Sequence, residues 1–251
     1  MGIVNVTPDS FSGDGLVDPA AAVARGLAMA EAGADIVDVG GESTRPGHLP
    51  VSIEEEQRRA VPVVEALARA GLTVSIDTYK LEVARAAADA GAAIVNDIWC
   101  LQHSPGIAGL AAQRGLGLVL MHNQDGTEYA EDLMSAMKRR LRASAAVALE
   151  AGVPPERLIV DPGIGFGKTP EHNLVVLRRL DELQELGYPI LIGPSRKSFL
   201  GRLFGQEMPI RPWGTAAAVT AAILRGADIV RVHDLPEMVA VVRVAEALRT
   251  S

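Results

Sequence analysis

Cysteine is nearly missing: the chain has 251 residues and one Cys, at position 100. A single thiol cannot close a disulfide within the chain, and a free thiol suits a reducing compartment, so the expected location is the cytoplasm. Long apolar runs are missing too, with no stretch of about 18 residues able to span a bilayer. The start, MGIVNVTPDSF, lacks the basic segment followed by an apolar one that directs secretion. Positive charge is in deficit, 24 Lys and Arg against 31 Asp and Glu, for a formal net charge of −7. Without a basic run to follow a phosphate backbone, nucleic acid is not an expected partner.

Several chemical signatures are also absent. The histidines are scattered at 48, 103, 122, 172 and 233, with neither zinc spacing nor His-Glu-x-x-His. Gly193-Pro194-Ser195-Arg196-Lys197 does not match the G-x-S-x-G elbow of serine hydrolases. Gly163 to Lys168 is glycine-rich but lacks the spacing and the terminal Gly-Lys-Ser/Thr of a nucleotide loop. Zinc binding, covalent serine catalysis and nucleotide binding are left without support.

What remains is an ordinary globular composition, 48% hydrophobic and 22% charged. The length is sufficient for a large core without disulfides or structural metals. Apolar, β-branched runs recur: GIVNV (2–6), DIVDVG (35–40), TVSID (73–77), AAIVND (92–97), LGLVLMH (116–122), RLIVD (157–161), PILIG (189–193) and DIVRVHD (228–234). Between them lie segments of helical spacing, at 19–32, 53–70, 81–90, 131–151, 171–186, 215–225 and 236–248. Continuous apolar runs, as opposed to alternating ones, are expected of a parallel sheet covered by helices on its outer face. Eight such strands alternating with helical segments predict a (β/α)8 TIM barrel, one domain over 1–251, although a doubly wound open sheet would produce the same alternation. Glycines in Ala32-Gly33-Ala34, Ala90-Gly91-Ala92 and Arg225-Gly226-Ala227 read as helix stops.

In such a barrel the active site lies at the C-terminal rim, so polar residues just after each apolar run are site candidates. They occur on nearly every run: Asn5 with Thr7 to Ser10, Glu42 to Arg45, Asp77, Asn96-Asp97, His122-Asn123, Asp161, Ser195-Arg196-Lys197 and Arg231 to Asp234. A single one could be a helix cap or a turn residue. Recurrence along the chain argues for convergence on one cavity. Neutral and acidic groups lie mid-chain and cations come late, at Arg196, Lys197 and Arg231, a mixture suited to a polar heterocycle beside an anion. Buried carboxylates and an amide can pair with the N–H edge of a ring, a role that fits Asp77, Asn96 and Asp161. Arg231 and His233 stand two apart on one strand and share a face, where they could bind a diphosphate; a salt bridge from Arg231 to Asp234 is the plainer alternative.

Seven segments together, GIVNVTPDSFS, GGESTRPG, IDTYK, IVNDI, DPGIGFGKT, GPSRKSF and RVHD, resemble in order the signatures of dihydropteroate synthases. That resemblance implies a folate-pathway transferase, in which the amine of p-aminobenzoate displaces diphosphate from a 7,8-dihydropterin-6-ylmethyl carbon. It further implies that Asp77, Asn96, Asp161 and Lys197 hold the pterin, with Met121 on one ring face and Arg231 on the other. Asn5, Arg231 and His233 would hold the diphosphate, and Mg2+ would bridge Asn5 and phosphate oxygens with help from Asp9 or water. The p-aminobenzoate site would be lined by Phe11, Thr44, Arg45, Pro46, Phe166, Lys197 and Ser198, and would be open to competition from sulfonamides. Asp9, Arg45, Lys197, Arg231 and His233 would take the catalytic parts, and the family resemblance implies a homodimer through the late helices. Three departures stand out: Ser12-Gly13-Asp14-Gly15 where S-D-G-G is commoner, Asn123 after Met121-His122, and no segment ahead of the first strand. Two rival expectations are a corrinoid-linked pterin methyltransferase barrel, which would not need TPDSF, STRPG or SRKS, and a silent homologue that binds without turnover.

Overall fold

The computed structural model describes residues 1–7, 18–43, 49–202 and 211–250. Its strands are β1 (Gly2–Asn5), β2 (Val37–Gly40), β3 (Val74–Asp77), β4 (Ile94–Asp97), β5 (Gly117–Met121), β6 (Leu158–Asp161), β7 (Leu191–Ile192) and β8 (Ile229–Val230). Around them lie α1 (Pro19–Glu31), α2 (Ile53–Arg69), α3 (Leu81–Asp89), α4 (Gly106–Arg114), α5 (Leu133–Glu150), α6 (Pro170–Arg178), α7 (Ser198–Arg202), α8 (Arg211–Leu224) and α9 (Leu235–Thr250).

Strands β1 to β6 pair in chain order, and β7 pairs with β8. Two parallel bridges, Val160 with Ile190 and Gly2 with Val232, join these pieces into a ring. Backbone hydrogen bonds support both seams: Val160 N donates to Pro189 O (2.9 Å) and Ile3 N to Val232 O (3.1 Å). An open doubly wound sheet would leave two free edges; here the ring closes, and the fold is the (β/α)8 barrel. The seventh strand is shorter than PILIG suggests because Pro189 and Pro194 flank it, and proline has no N–H for a ladder.

Local chemistry sets the helix ends. Ser52 accepts from Glu55 N at the start of α2, Asp132 from Ser135 N at the start of α5, and Thr169 with His172 forms a capping box on α6. The segment expected to be helical over 171–186 divides into α6 and a 3-10 stretch, Leu180–Leu186. The glycines read as stops behave so, with Gly33, Gly91 and Gly226 all at positive φ.

Most of the core lies between helices and strands. A smaller cluster of Met1, Ile94, Val119 and Leu191, with Ile36, Ile159 and Ile229 against it, plugs the barrel interior. Side chains on a strand repeat their direction every second residue. Two residues beyond this plug, on the same inward face, come Asp38, Asn96, Met121, Asp161, Gly193 and Arg231. The interior therefore changes from apolar to polar towards the strand C-termini.

Candidate active site

The floor of the site follows from strand register. Asn5, Gly40, Asp77 and Asn96 are successive cross-strand partners, and Met121 is paired with Asp161. Arg231 completes the ring from the other side: its Nε donates to Asp38 Oδ2 (2.6 Å) and its Nη2 to Asp77 Oδ2 (2.7 Å). Asn96 Nδ2 donates to the same Asp38 oxygen at 3.1 Å. Among the described residues, Asp38 Oδ1, Asp77 Oδ1 and Asn96 Oδ1 are buried and accept no hydrogen bond. Unmet buried acceptors are costly, and their concentration here points to a ligand that brings donors.

Burial sets the acid–base character. It pushes Asp77 up to about 7, against the pull of the Arg231 guanidinium, with the Asp38 and Glu56 carboxylates adding to the rise. Asp161 is pushed up to about 6, also by burial, although it accepts a hydrogen bond from Gly163 N at 2.7 Å. Lys197 is lowered to about 8, first by burial and then by Arg231. Opposed groups with shifted pKa values in one cleft are characteristic of a functional site.

The rim comes from loops. Gly163 stands at φ +67°, and a Cβ there would meet His122 O at 2.0 Å, so no other residue fits. A Cβ on Gly165 would press on Lys197 Cδ at 2.9 Å. This close turn brings the Phe166 ring under Lys197, whose Nζ lies 4.1 Å from the ring centroid. Beneath it, Lys168 Nζ donates to Phe166 O (2.9 Å) and lies 3.1 Å from His122 Nδ1. Burial lowers Lys168 to about 7 and His122 to about 3, so His122 is neutral and can accept from the lysine. Lys168 thus braces the loop from behind and is not placed as a phosphate-binding lysine. On the opposite rim His233 Nδ1 lies 2.9 Å from Ser195 Oγ, which also accepts from His233 N at 3.1 Å.

Asn5, Asp77, Asn96, Met121, Asp161, Phe166, Lys197, Ser198, Arg231 and His233, all expected from the sequence, line one cavity. Asp9, Phe11, Thr44, Arg45 and Pro46 lie outside the described residues, as does Asp14. The alternative of a bridge from Arg231 to Asp234 is overturned: Asp234 pairs with Arg196, whose Nε donates to Oδ2 at 3.0 Å, while Arg231 holds Asp38 and Asp77. Asp97 keeps the plain reading, since both its oxygens accept turn N–H groups, from Trp99 (2.8 Å) and Leu101 (2.7 Å). Sequence reasoning missed Asp38, which lies inside the run DIVDVG. Its signal was a carboxylate at an inward position of an otherwise apolar strand.

The donor set bears on Mg2+. Among the described residues no group of three or more His, Cys, Asp or Glu could hold a metal ion. The cavity does offer the hard amide oxygen of Asn5, alongside Arg231 and His233. Mg2+ commonly takes one or two protein oxygens and the rest from substrate phosphates and water, and the residues present fit an ion carried in with a diphosphate.

A closed (β/α)8 barrel whose strand ends gather carboxylates, an amide and cations in one cavity is an enzyme scaffold for a polar small molecule. Residues 1–233 match the family model described as pterin binding enzyme, and the chain belongs to that family. A dihydropteroate synthase of Synechocystis sp. is 46% identical over 258 residues, covering 99% of this chain and 89% of that protein. The crystal structure of a Clostridium difficile dihydropteroate synthase in the presence of pteroic acid superposes with a TM-score of 0.94 at 45% identity, covering 100% of this chain and 96% of that one. A Yersinia pestis dihydropteroate synthase in complex with a sulfonamide drug gives 0.94 at 42% identity, covering 100% and 94%.

Proposed function

We infer that this protein is a dihydropteroate synthase, a single-domain transferase that joins 7,8-dihydropterin-6-ylmethyl diphosphate to p-aminobenzoate and releases diphosphate. The observation that carries the reading is the donor-poor floor: Asp77 and Asn96, which line the cavity, each keep a buried oxygen without a partner among the described residues. A 2-amino-4-oxo-dihydropterin has amine and ring N–H donors along one edge and satisfies such a wall. Asp77, Asn96 and Asp161 take that edge, Met121 packs on a ring face, and Lys197 and Arg231 complete the pocket.

Arg231 and His233 receive the diphosphate, with Asn5 as the protein oxygen for Mg2+. The ion, when bound, supplies positive charge against the leaving group. As the bond from the methylene carbon to oxygen breaks, the ring nitrogens share the positive charge left on carbon, and Arg231 and His233 offset the charge growing on the diphosphate. The neutral arylamine then forms the carbon–nitrogen bond and loses a proton to solvent, which requires no strong base. Phe166, Lys197 and Ser198 form the described part of the p-aminobenzoate wall; Phe11, Thr44, Arg45 and Pro46 complete it, with Asp9 and Arg45 sharing in the chemistry. A sulfonamide competes there.

A cytoplasmic homodimer is the assembly we propose. Trp213 and Leu224 on α8 and Val244 and Leu248 on α9 are exposed apolar residues that a partner could cover, and sedimentation tests the pairing. The decisive assay mixes the purified protein with dihydropterin diphosphate, p-aminobenzoate and Mg2+. Diphosphate and dihydropteroate are expected only with all three present, and their absence from the complete mixture would sink the reading.

A further inference from the structure

We propose that Asp38, buried inside the barrel beneath the cavity floor, is a specificity-determining positioning residue that fixes the orientation of the Asn96 amide and anchors Arg231. The proposal rests on the pterin reading above and adds a residue that itself touches no ligand.

Asp38 has no solvent exposure; its ladder partners are Ile3 and Ser75, two residues before the Asn5 and Asp77 that flank Gly40. One oxygen, Oδ2, serves two donors, Arg231 Nε at 2.6 Å and Asn96 Nδ2 at 3.1 Å. An ionised carboxylate can only accept, so Asn96 must turn its NH2 towards Asp38. An isolated Asn could rotate its amide to meet either a donor or an acceptor; this one cannot without setting its oxygen against a carboxylate in a buried site. Its Oδ1 is left as an acceptor with no partner among the described residues, and because Asn96 lines the cavity, a ligand N–H can supply one. Asp77 Oδ1 is in the same condition. The wall therefore accepts along its length, and a ring that presents a lone pair there would leave buried acceptors facing acceptors.

Removing the acceptor should release this constraint. One atom, Oδ2, faces both donors, so in Asp38→Asn the amide oxygen can take its place and still accept from Arg231 Nε and Asn96 Nδ2. Asp38→Leu offers Asn96 no acceptor, and its amide is free to turn its NH2 towards the ligand.

Two probe rings separate these states. Pterin carries N–H at N3, whereas 2,4-diaminopteridine carries a lone pair there. Binding of each to the full-length protein is measured by fluorescence titration at pH 7.5, with melting temperature recorded in parallel. Wild type is expected to favour pterin strongly, Asp38→Asn to keep that ratio, and Asp38→Leu to shift it by at least about tenfold towards the diamino ring, equivalent to about 1.4 kcal/mol. A lower melting temperature with an unchanged ratio in Asp38→Leu overturns the proposal and leaves the pterin reading standing. Should Asp38→Leu not fold, Asp38→Asn carries the test, and loss of the preference in folded Asp38→Asn overturns it. Wild type that binds neither ring overturns the pterin reading, and this proposal with it.

Discussion

Asp77, Asn96 and Asp161 reach the cavity from strand positions set by ladder register, whereas Phe166, Lys197 and His233 reach it from loops held by other side chains. On the floor, charge faces charge inside the barrel: Asp38 and Asp77 clasp Arg231, and removing one partner exposes the others. At the rim the supports stand behind the lining, apart from Glu42, which lines the cavity itself. Lys168 holds Phe166 O, the Arg196–Asp234 pair flanks Lys197 and His233, and Glu42 with Lys80 ties Val51 across the segment that starts at Ser43. The contrast teaches that floor substitutions should damage chemistry and stability together, while rim supports should alter substrate affinity at little cost in stability.

Arg231→Ala is the most severe way to test the floor. Turnover should fall by about 10² to 10³, the usual cost of losing one charge-stabilising donor. A reading in which only ligand partners Arg231 would leave stability intact, but the two carboxylates it clasps change that expectation. Stranding buried charge costs about 3 kcal/mol, or about 6–12 °C in melting temperature for a chain of this size. Calorimetry beside steady-state kinetics decides it. An unchanged melting temperature would mean that Asp38 and Asp77 do not depend on Arg231, and the comparison would break at its floor.

Lys168→Met tests the rim with a smaller effect. Its Nζ is fastened to Phe166 O and His122, while Tyr129 OH to Gly167 O (2.8 Å) and Asn173 Oδ1 accepting from Gly165 N (2.7 Å) keep other holds on the loop. KM for p-aminobenzoate should rise by up to about tenfold, the scale of one lost charge-assisted hydrogen bond. KM for the dihydropterin diphosphate should barely move, and stability should hold or improve because a buried cation is removed. Equal rises in both KM values would show that the loop serves the whole cavity.

Legibility in the sequence followed the same division. Strand ends announced Asp77, Asn96, Asp161 and Arg231, because an apolar run that stops at a polar residue marks the C-terminal rim of a barrel. Asp38 was hidden, since it occupies the middle of such a run, and only counting inward parity back from Gly40 would have exposed it. Nothing in Lys168 or Arg196 says which neighbours they brace, because His122 and Asp234 lie 46 and 38 residues away along the chain. Arg196 adopts φ +57°, a left-handed conformation that a sequence pattern without glycine does not signal. The proposed p-aminobenzoate wall was legible only by family resemblance, which is why its roles depend on the assay of the complete reaction.

The subtlest test concerns pH. Asp77 and Asp161 have folded pKa values raised to about 7 and about 6, chiefly by burial, above an unfolded value of 3.8. A raised carboxylate binds its proton more tightly when folded, so its contribution to stability is complete below the unfolded pKa and is lost as pH rises through the folded one. The unliganded protein should therefore lose stability between about pH 4 and pH 7 from these two groups. Lys168 and Lys197 are depressed to about 7 and about 8, so their contributions change at higher pH, between those values and 10.5. Asp77→Asn should flatten the lower window, shifting melting temperature by a few degrees at its neutral end. Saturation with pterin should do the same, because ring N–H groups favour the ionised carboxylate. A wild-type profile that overlays the Asp77→Asn profile from pH 4 to 7 would place the floor's buried charge elsewhere. Flattening in Asp77→Asn without flattening by pterin would separate the charge of the floor from its role in holding the ring.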